Sequence, residues 1–166
     1  MLVIGAIGKT PAPKYSATKM IEFRLEGIVP SKKNNRRLFE VNGRQTSAPS
    51  AEHDRWFQDQ KPVIQLAVSG YPIPLAIEPV YIGYFFVMPD RLQRDLSNMQ
   101  QSIEDLISTK GKGKKQGVGI VYDDCWRYLQ TAGALAKYIK GEAYVLVAIE
   151  DELEPIRLWL DKHASA

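Results

Sequence analysis

Two short stretches concentrate the groups able to do chemistry: MPDRLQRDLSN at residues 88–98 and VYDDCW at residues 121–126. The first carries Asp90, Arg91, Arg94 and Asp95, with Ser97, Asn98 and Gln101 following; the second carries Asp123 and Asp124. Grouped carboxylates are hard oxygen ligands and suit Mg²⁺ or Mn²⁺. Ions of that kind stabilise the attacking and leaving oxygens in phosphodiester cleavage. A structural reading stands open beside the catalytic one, with Asp95 as a helix cap and Asp123–Asp124 as a turn pair.

Cations gather in two other segments. Lys32, Lys33, Arg36, Arg37 and Arg44 form one group, and Lys110, Lys112, Lys114 and Lys115 the other. The second lies in GKGKKQG, which lacks the Gly-x4-Gly-Lys-Ser/Thr spacing of a nucleotide loop. It reads as a solvated loop or as an arm contacting phosphates. His53 and His163 have no partners at ligand spacing and read as surface groups. Cys125 reads as a packed thiol; Trp126 reads as a core residue, with base stacking as the other reading. A single cysteine excludes an internal disulfide and fits a reducing cytosol.

The elements that must position these groups follow from periodicity. Ile21, Phe23 and Leu25 alternate with Glu22, Arg24 and Glu26, which predicts a half-exposed strand. A polar loop follows, and its EVNGR carries the Asn-Gly signal of a tight hairpin. Ser50 can cap a helix from Ala51, with Trp56, Val63, Ile64 and Ala67 as its apolar stripe and a kink or break at Pro62. VYIGYFFV is apolar throughout and predicts a central strand. Ser97, with Gln100 three residues on, predicts the start of the next helix. Met99, Ile103, Leu106 and Ile107 form its buried face, with Asn98, Gln101 and Asp105 on the opposite stripe. VGIVYDDCWRYLQ holds a short strand or turn, EAYVLVAIE a last strand, and Glu154–Lys162 a short helix with Pro155 in its first turn. A helix packing back on its strand would bring both acidic clusters to one end of the sheet.

The expected fold class is α+β: a single domain, a mixed β-sheet with helices packed on it. Residues 1–20 read as an N-terminal extension and 21–166 as the folded domain. At 166 residues, 45% hydrophobic and 25% charged, the chain has the size and make-up of one ordinary globular domain. A net charge of +3 does not by itself indicate a nucleic-acid partner, so the clustering of the cations carries that expectation. No apolar run approaches the roughly 18 residues of a membrane span, and MLVIGAIG lacks a basic n-region, so a soluble cytoplasmic protein is expected.

VPSKKNNRR after the first strand, then MPDRLQRDLSN, EDLI, and YDD ahead of the last strand, together resemble the RusA family of Holliday-junction resolvases. These are small dimeric endonucleases of bacteria and their phages. The likeness spans about residues 21–150. The family pattern is Asp-x-Asp-Asn, a helix Lys, an Asp before a Leu, and a closing Asp-Asp. Asp95, Asn98, Asp105, Asp123 and Asp124 match it; Ser97 stands for the second Asp and Gln101 for the Lys. The resemblance implies a homodimeric, Mg²⁺- or Mn²⁺-dependent endonuclease that cuts four-way DNA junctions in recombination and repair, in a bacterial or phage-infected cell. It implies Asp95 and Asp124 as metal ligands with Asp90 and Asp123 beside them, and Asp105 and Asn98 completing the catalytic set. Asp90, Glu104 or Asp105 could replace the missing carboxylate. Lys32, Lys33, Arg36, Arg37, Arg91, Arg94, Lys112, Lys114 and Lys115 would contact DNA. The alternative, resting on Ser97 and Gln101, is a junction-binding protein that has lost catalysis.

Overall fold

β4 (Val80–Met88) is apolar on both faces, and the rest of the molecule is arranged to cover it. A computed structural model describes residues 20–31, 36–75, 79–109, 112–113 and 116–165. Along the chain run β1 (Ile21–Glu26), β2 (Arg36–Val41), β3 (Arg44–Pro49), α1 (Ala51–Ala67), β4, α2 (Leu96–Ile107), β5 (Leu129–Tyr138), β6 (Tyr144–Glu150) and α3 (Leu153–Ala164). A four-stranded sheet has the order β1-β6-β4-β5, and β2 and β3 form a separate hairpin. β4 pairs parallel with β5 and antiparallel with β6, so the sheet is mixed and the fold is α+β in one domain.

Alternate residues of the central strands feed two cores. Ile82, Tyr84 and Phe86 with Val145, Val147 and Ile149 join Phe57 and Ile64 of α1 and Met99, Ile103 and Leu106 of α2. Phe85, Val87 and Ala148 meet Ile156, Trp159 and Leu160 of α3 on the other side. Each fully buried large aliphatic among them contributes roughly 1.5–3 kcal/mol. Gly83 and Gly133 are paired across β4 and β5, where α3 crosses closest. A Cβ at Gly83 would come within 2.8 Å of Ile156, and one at Gly133 within 2.9 Å of Leu160.

The hairpin, the central strand, the buried face of α2 and the Pro155 helix all form as their patterns predict. At the β2–β3 turn Asn42 and Gly43 have φ of 51° and 74°, the pair of left-handed residues a tight hairpin requires. Other expectations fail. α1 runs unbroken through Pro62, losing only one N–H bond, and its buried residues are His53, Trp56, Phe57, Gln60 and Ile64, with Val63 exposed. His53 is therefore a core group stacked on Phe57, not a surface one. His163 is half-buried between Phe85 and Trp159. Asn98 is buried on the core side of α2, not on the outer stripe. The spacing held the signal for both histidines: each stands four residues from an aromatic on its own helix, and four residues return to the same face.

Residues 1–19 of the expected extension lie outside the described residues, as do Lys32, Lys33, Lys110, Lys114 and Lys115. Arg36 is placed in β2 by its backbone alone. Among the described residues no helix is long and apolar enough to cross a membrane.

Candidate functional site

α2 begins two residues earlier than the Ser97 capping pattern suggests, because Asp95 is its N-cap. The Asp95 carboxylate accepts from the backbone N–H groups of Ser97 (3.0 Å) and Asn98 (3.3 Å). A carboxylate outcompetes a hydroxyl there, since it faces the positive end of the helix dipole. Two side chains complete the shell. The Ser97 hydroxyl donates to Oδ1 at 2.6 Å, and the Asn98 amide donates to Oδ2 at 2.6 Å. Asp95, Ser97 and Asn98 thus form one hydrogen-bonded unit, and the capping role is real whatever else Asp95 does.

The turn ahead of the helix is braced separately. Arg94 holds Asp90 through both oxygens, at 2.5 and 2.9 Å, and the Leu92 N–H adds a third bond at 3.0 Å. The Arg94 guanidinium, then the Leu92 N–H, lowers the Asp90 carboxyl to about 2. Asp90 is thereby neutralised within the loop, and Arg94 is spent on it. The Arg91 guanidinium lies 5.1 Å from the Tyr138 ring centroid. Arg37 is also engaged, with Asp54 at 2.8 Å and the Pro49 carbonyl at 2.9 Å.

A cleft of about 340 Å³ opens beside Asp95, lined by Val29, Pro30, Ser31, Glu52, Arg94 and Met99 among others. The Val-Pro-Ser segment is tied to α2 by a buried bond from the Ser102 hydroxyl to the Pro30 carbonyl, 2.8 Å. This places the first and second motifs side by side, although 50 residues lie between them.

The other acidic pair reaches α2 from its C-terminal end. Orphan carbonyls of the last turn are capped by the returning chain: Val118 N–H donates to Leu106 O and Ile120 N–H to Ile107 O, both at 2.7 Å. The return is tight, and a Cβ on Gly117 would fall 2.2 Å from the Ser108 carbonyl. Tyr122 follows, its carbonyl held by the Thr109 hydroxyl at 2.6 Å. Asp123 and Asp124 are both half-buried. Asp124 and Asp105 lie within electrostatic reach of Glu104, a residue given no more than a substitute's role by sequence. Burial raises the Glu104 carboxyl, hydrogen bonds from Tyr84 and Thr131 oppose the rise, and repulsion from Asp124 and Asp105 adds to it. The Tyr84 hydroxyl donates to Glu104 at 3.0 Å. Tyr84 is fully buried in β4, so Glu104 is fixed from beneath the sheet-facing side of α2.

In donor chemistry Glu104, Asp105 and Asp124 fit a hard divalent cation: Asp124 and Asp105 repel the Glu104 carboxylate, and a cation among them would relieve that. The expectation that both acidic clusters share one end of the sheet is not met: β4 and β5 run parallel, Asp95 follows the Met88 end and Asp124 precedes the Leu129 end, so the two clusters join α2 at opposite ends. Among the described residues no three His, Cys, Asp or Glu side chains are grouped tightly enough to hold a metal ion.

Two neighbours of Asp124 overturn the sequence expectation. Cys125 is an exposed thiol, not a packed one. Trp126 is 80% exposed and no part of the core. Lys112 is exposed in the basic loop. No protein-family model matches the chain, and no curated protein matches it.

Proposed function

We propose that this chain is a RusA-like, Mg²⁺- or Mn²⁺-dependent endonuclease of branched DNA, acting as a homodimer in the cytoplasm of a bacterial or phage-infected cell. The meeting of motifs far apart in sequence carries the reading. Val29–Ser31 and Arg94–Asp95 line one cleft. The YDD segment is led back to the same helix by the bonds that cap its C-terminal end. Each acidic segment is thus tied to α2 by contacts distant in sequence, one at the helix's start and one at its end.

Asp95 and Asp124 are the proposed metal ligands, with Asp123 adjoining and Glu104 or Asp105 supplying the charge that Ser97 lacks. Asp90, neutralised by Arg94, is the weakest candidate of the set. A bound divalent ion would supply charge neutralisation and an activated water. The chain's own residues orient and hold. Asn98 fixes the Asp95 carboxylate, Tyr84 fixes Glu104, and Arg91, Lys112 and the neighbouring basic residues meet phosphates without reading sequence. Two symmetric cuts across a four-way junction call for a two-fold dimer.

A second reading, a junction-binding protein without catalysis, draws on the Ser97 hydroxyl bonded to Asp95 where a carboxylate would bring charge. One assay decides between them. Labelled four-way junction is incubated with the protein in EDTA, Mg²⁺ or Mn²⁺, with Asp95→Asn and Asp124→Asn in parallel. Binding in EDTA, nicks with either metal, and loss of nicks but not of binding in both variants are expected, since Asn also caps helices. Binding without nicks under any metal would leave only the second reading, and no preference for junctions over duplex would remove both.

A further inference from the structure

Trp126 is 80% exposed and Tyr122 52% exposed, on either side of Asp123 and Asp124. A tryptophan carries roughly 150–250 Å² of surface that a core would have buried. Isolated exposed leucines such as Leu66 and Leu92 are ordinary. Two large rings presented from one short loop are a different matter.

That loop is fixed at several points. The Tyr128 and Leu129 N–H groups both donate to the Cys125 carbonyl, at 2.9 and 3.0 Å. Gln130 donates to the Trp126 carbonyl at 3.4 Å, and Val80 N–H to the Tyr128 carbonyl at 3.0 Å, joining the loop to β4. Tyr122 leans on Tyr128, with ring centroids 5.9 Å apart, and the Arg127 guanidinium lies 5.5 Å from the Tyr128 ring centroid. The backbone is thus rigid where the rings are bare, so little ordering entropy would be lost on stacking. A protein-docking patch would be contiguous and apolar. Here carboxylates stand between the two rings in sequence, so the patch is not contiguous and apolar, and the Arg127 guanidinium beside them can meet the phosphate of a stacked nucleotide.

We propose that Trp126 and Tyr122 form a stacking platform for an unpaired nucleobase of single-stranded or branch-point DNA. The branch-point source rests on the nuclease reading; the platform itself does not. Stacking is sequence-tolerant, so the site would recognise an open base of any identity. Applied to a junction, it would favour strands that are unstacked at the crossover over fully paired duplex.

The three tryptophans make the test direct, because Trp56 and Trp159 are buried and Trp126 is the one a base can reach. The full-length protein is titrated in EDTA with oligothymidine, a four-way junction and a blunt duplex, following tryptophan emission and affinity. Oligothymidine and the junction should quench emission more than the duplex does. Trp126→Ala should weaken the first two roughly 5- to 100-fold, the range that one stacked base gives, and leave duplex affinity nearly unchanged. Trp126→Phe, which keeps a π-face, should restore most of the affinity. The substitution is on the surface, so wild-type circular dichroism and melting are expected of both variants. Absence of quenching, or a loss shared equally by all three DNAs, or no loss, would overturn the platform and leave the rings to a protein partner. Cleavage is scored separately in Mg²⁺. Junction cutting with unchanged Trp126→Ala affinity removes the platform and keeps the nuclease, whereas quenching without cutting does the reverse.

Discussion

Glu104 shows how much a single side chain can hold that its sequence neighbours do not announce. Burial raises its carboxyl most, hydrogen bonds from Tyr84 and Thr131 oppose the rise, and the Asp124 and Asp105 carboxylates add to it. A carboxyl raised in the folded state holds its proton more tightly there than in the unfolded chain. Glu104 therefore costs stability at pH above its raised value, and the cost disappears as pH falls below the ordinary glutamate range. Glu104→Gln keeps an acceptor for Tyr84 and removes the charge. It should raise Tm at pH 8 by no more than about 2–4 °C, since the group is partly exposed and screened. The gain should vanish by about pH 4. A Tm difference that is flat with pH would show that neither burial nor the neighbouring carboxylates raise the Glu104 carboxyl. At this scale sequence was a partial guide. Asp95 was legible as a cap and as a ligand candidate because both uses need the same exposed carboxylate. Cys125 and Trp126 were misjudged because residue type reports average burial, and a loop pinned by its backbone can present an apolar ring outward.

Among elements, α2 does the positioning, with the Asp95 unit at its start and Glu104 and Asp105 in its last turns. The strands that bury one or both faces with large side chains were readable. β5 was not, because its Thr-Ala-Gly-Ala stretch has weak strand preference; small residues are required there so that α3 can approach. The departures at Ser97 and Gln101 belong to this helix and can be tested on it. Ser97→Asp would set a second carboxylate against Asp95 Oδ1, now bonded to the hydroxyl at 2.6 Å. Gln101→Lys, four residues on, partly offsets the charge. In EDTA the double variant should melt below the wild type, by an amount of order 1 kcal/mol. Mg²⁺ should close that gap if the pair binds it. The nicking rate should rise at limiting Mg²⁺, and the advantage should shrink toward saturation if affinity is what the wild type lacks. No gain at any concentration, from a variant that folds and binds junctions, would mean the site works by another route or not at all.

For the whole molecule, a net charge of +3 hides an uneven distribution, with basic segments at 32–44 and 110–115 and an acidic start to α3. Such separation matters for a polyanion because field strength at a face, not the total, governs how firmly phosphates are held. Lys112, Lys114 and Lys115 lie in sequence between the end of α2 and Val118, which caps its last turn. Replacing all three with Gln should weaken binding to every branched DNA by a similar factor. The slope of log affinity against log salt should flatten by about 0.9 for each phosphate that is no longer neutralised, hence by up to about 2.7. This signature is opposite to the one argued for Trp126, where discrimination between open and paired DNA falls and the salt slope stays. Measuring both quantities in both variants separates grip from recognition. An unchanged slope and affinity in the lysine variant would make that loop a solvated connection, and the basic face would have to be sought in the segment around Lys32 to Arg37.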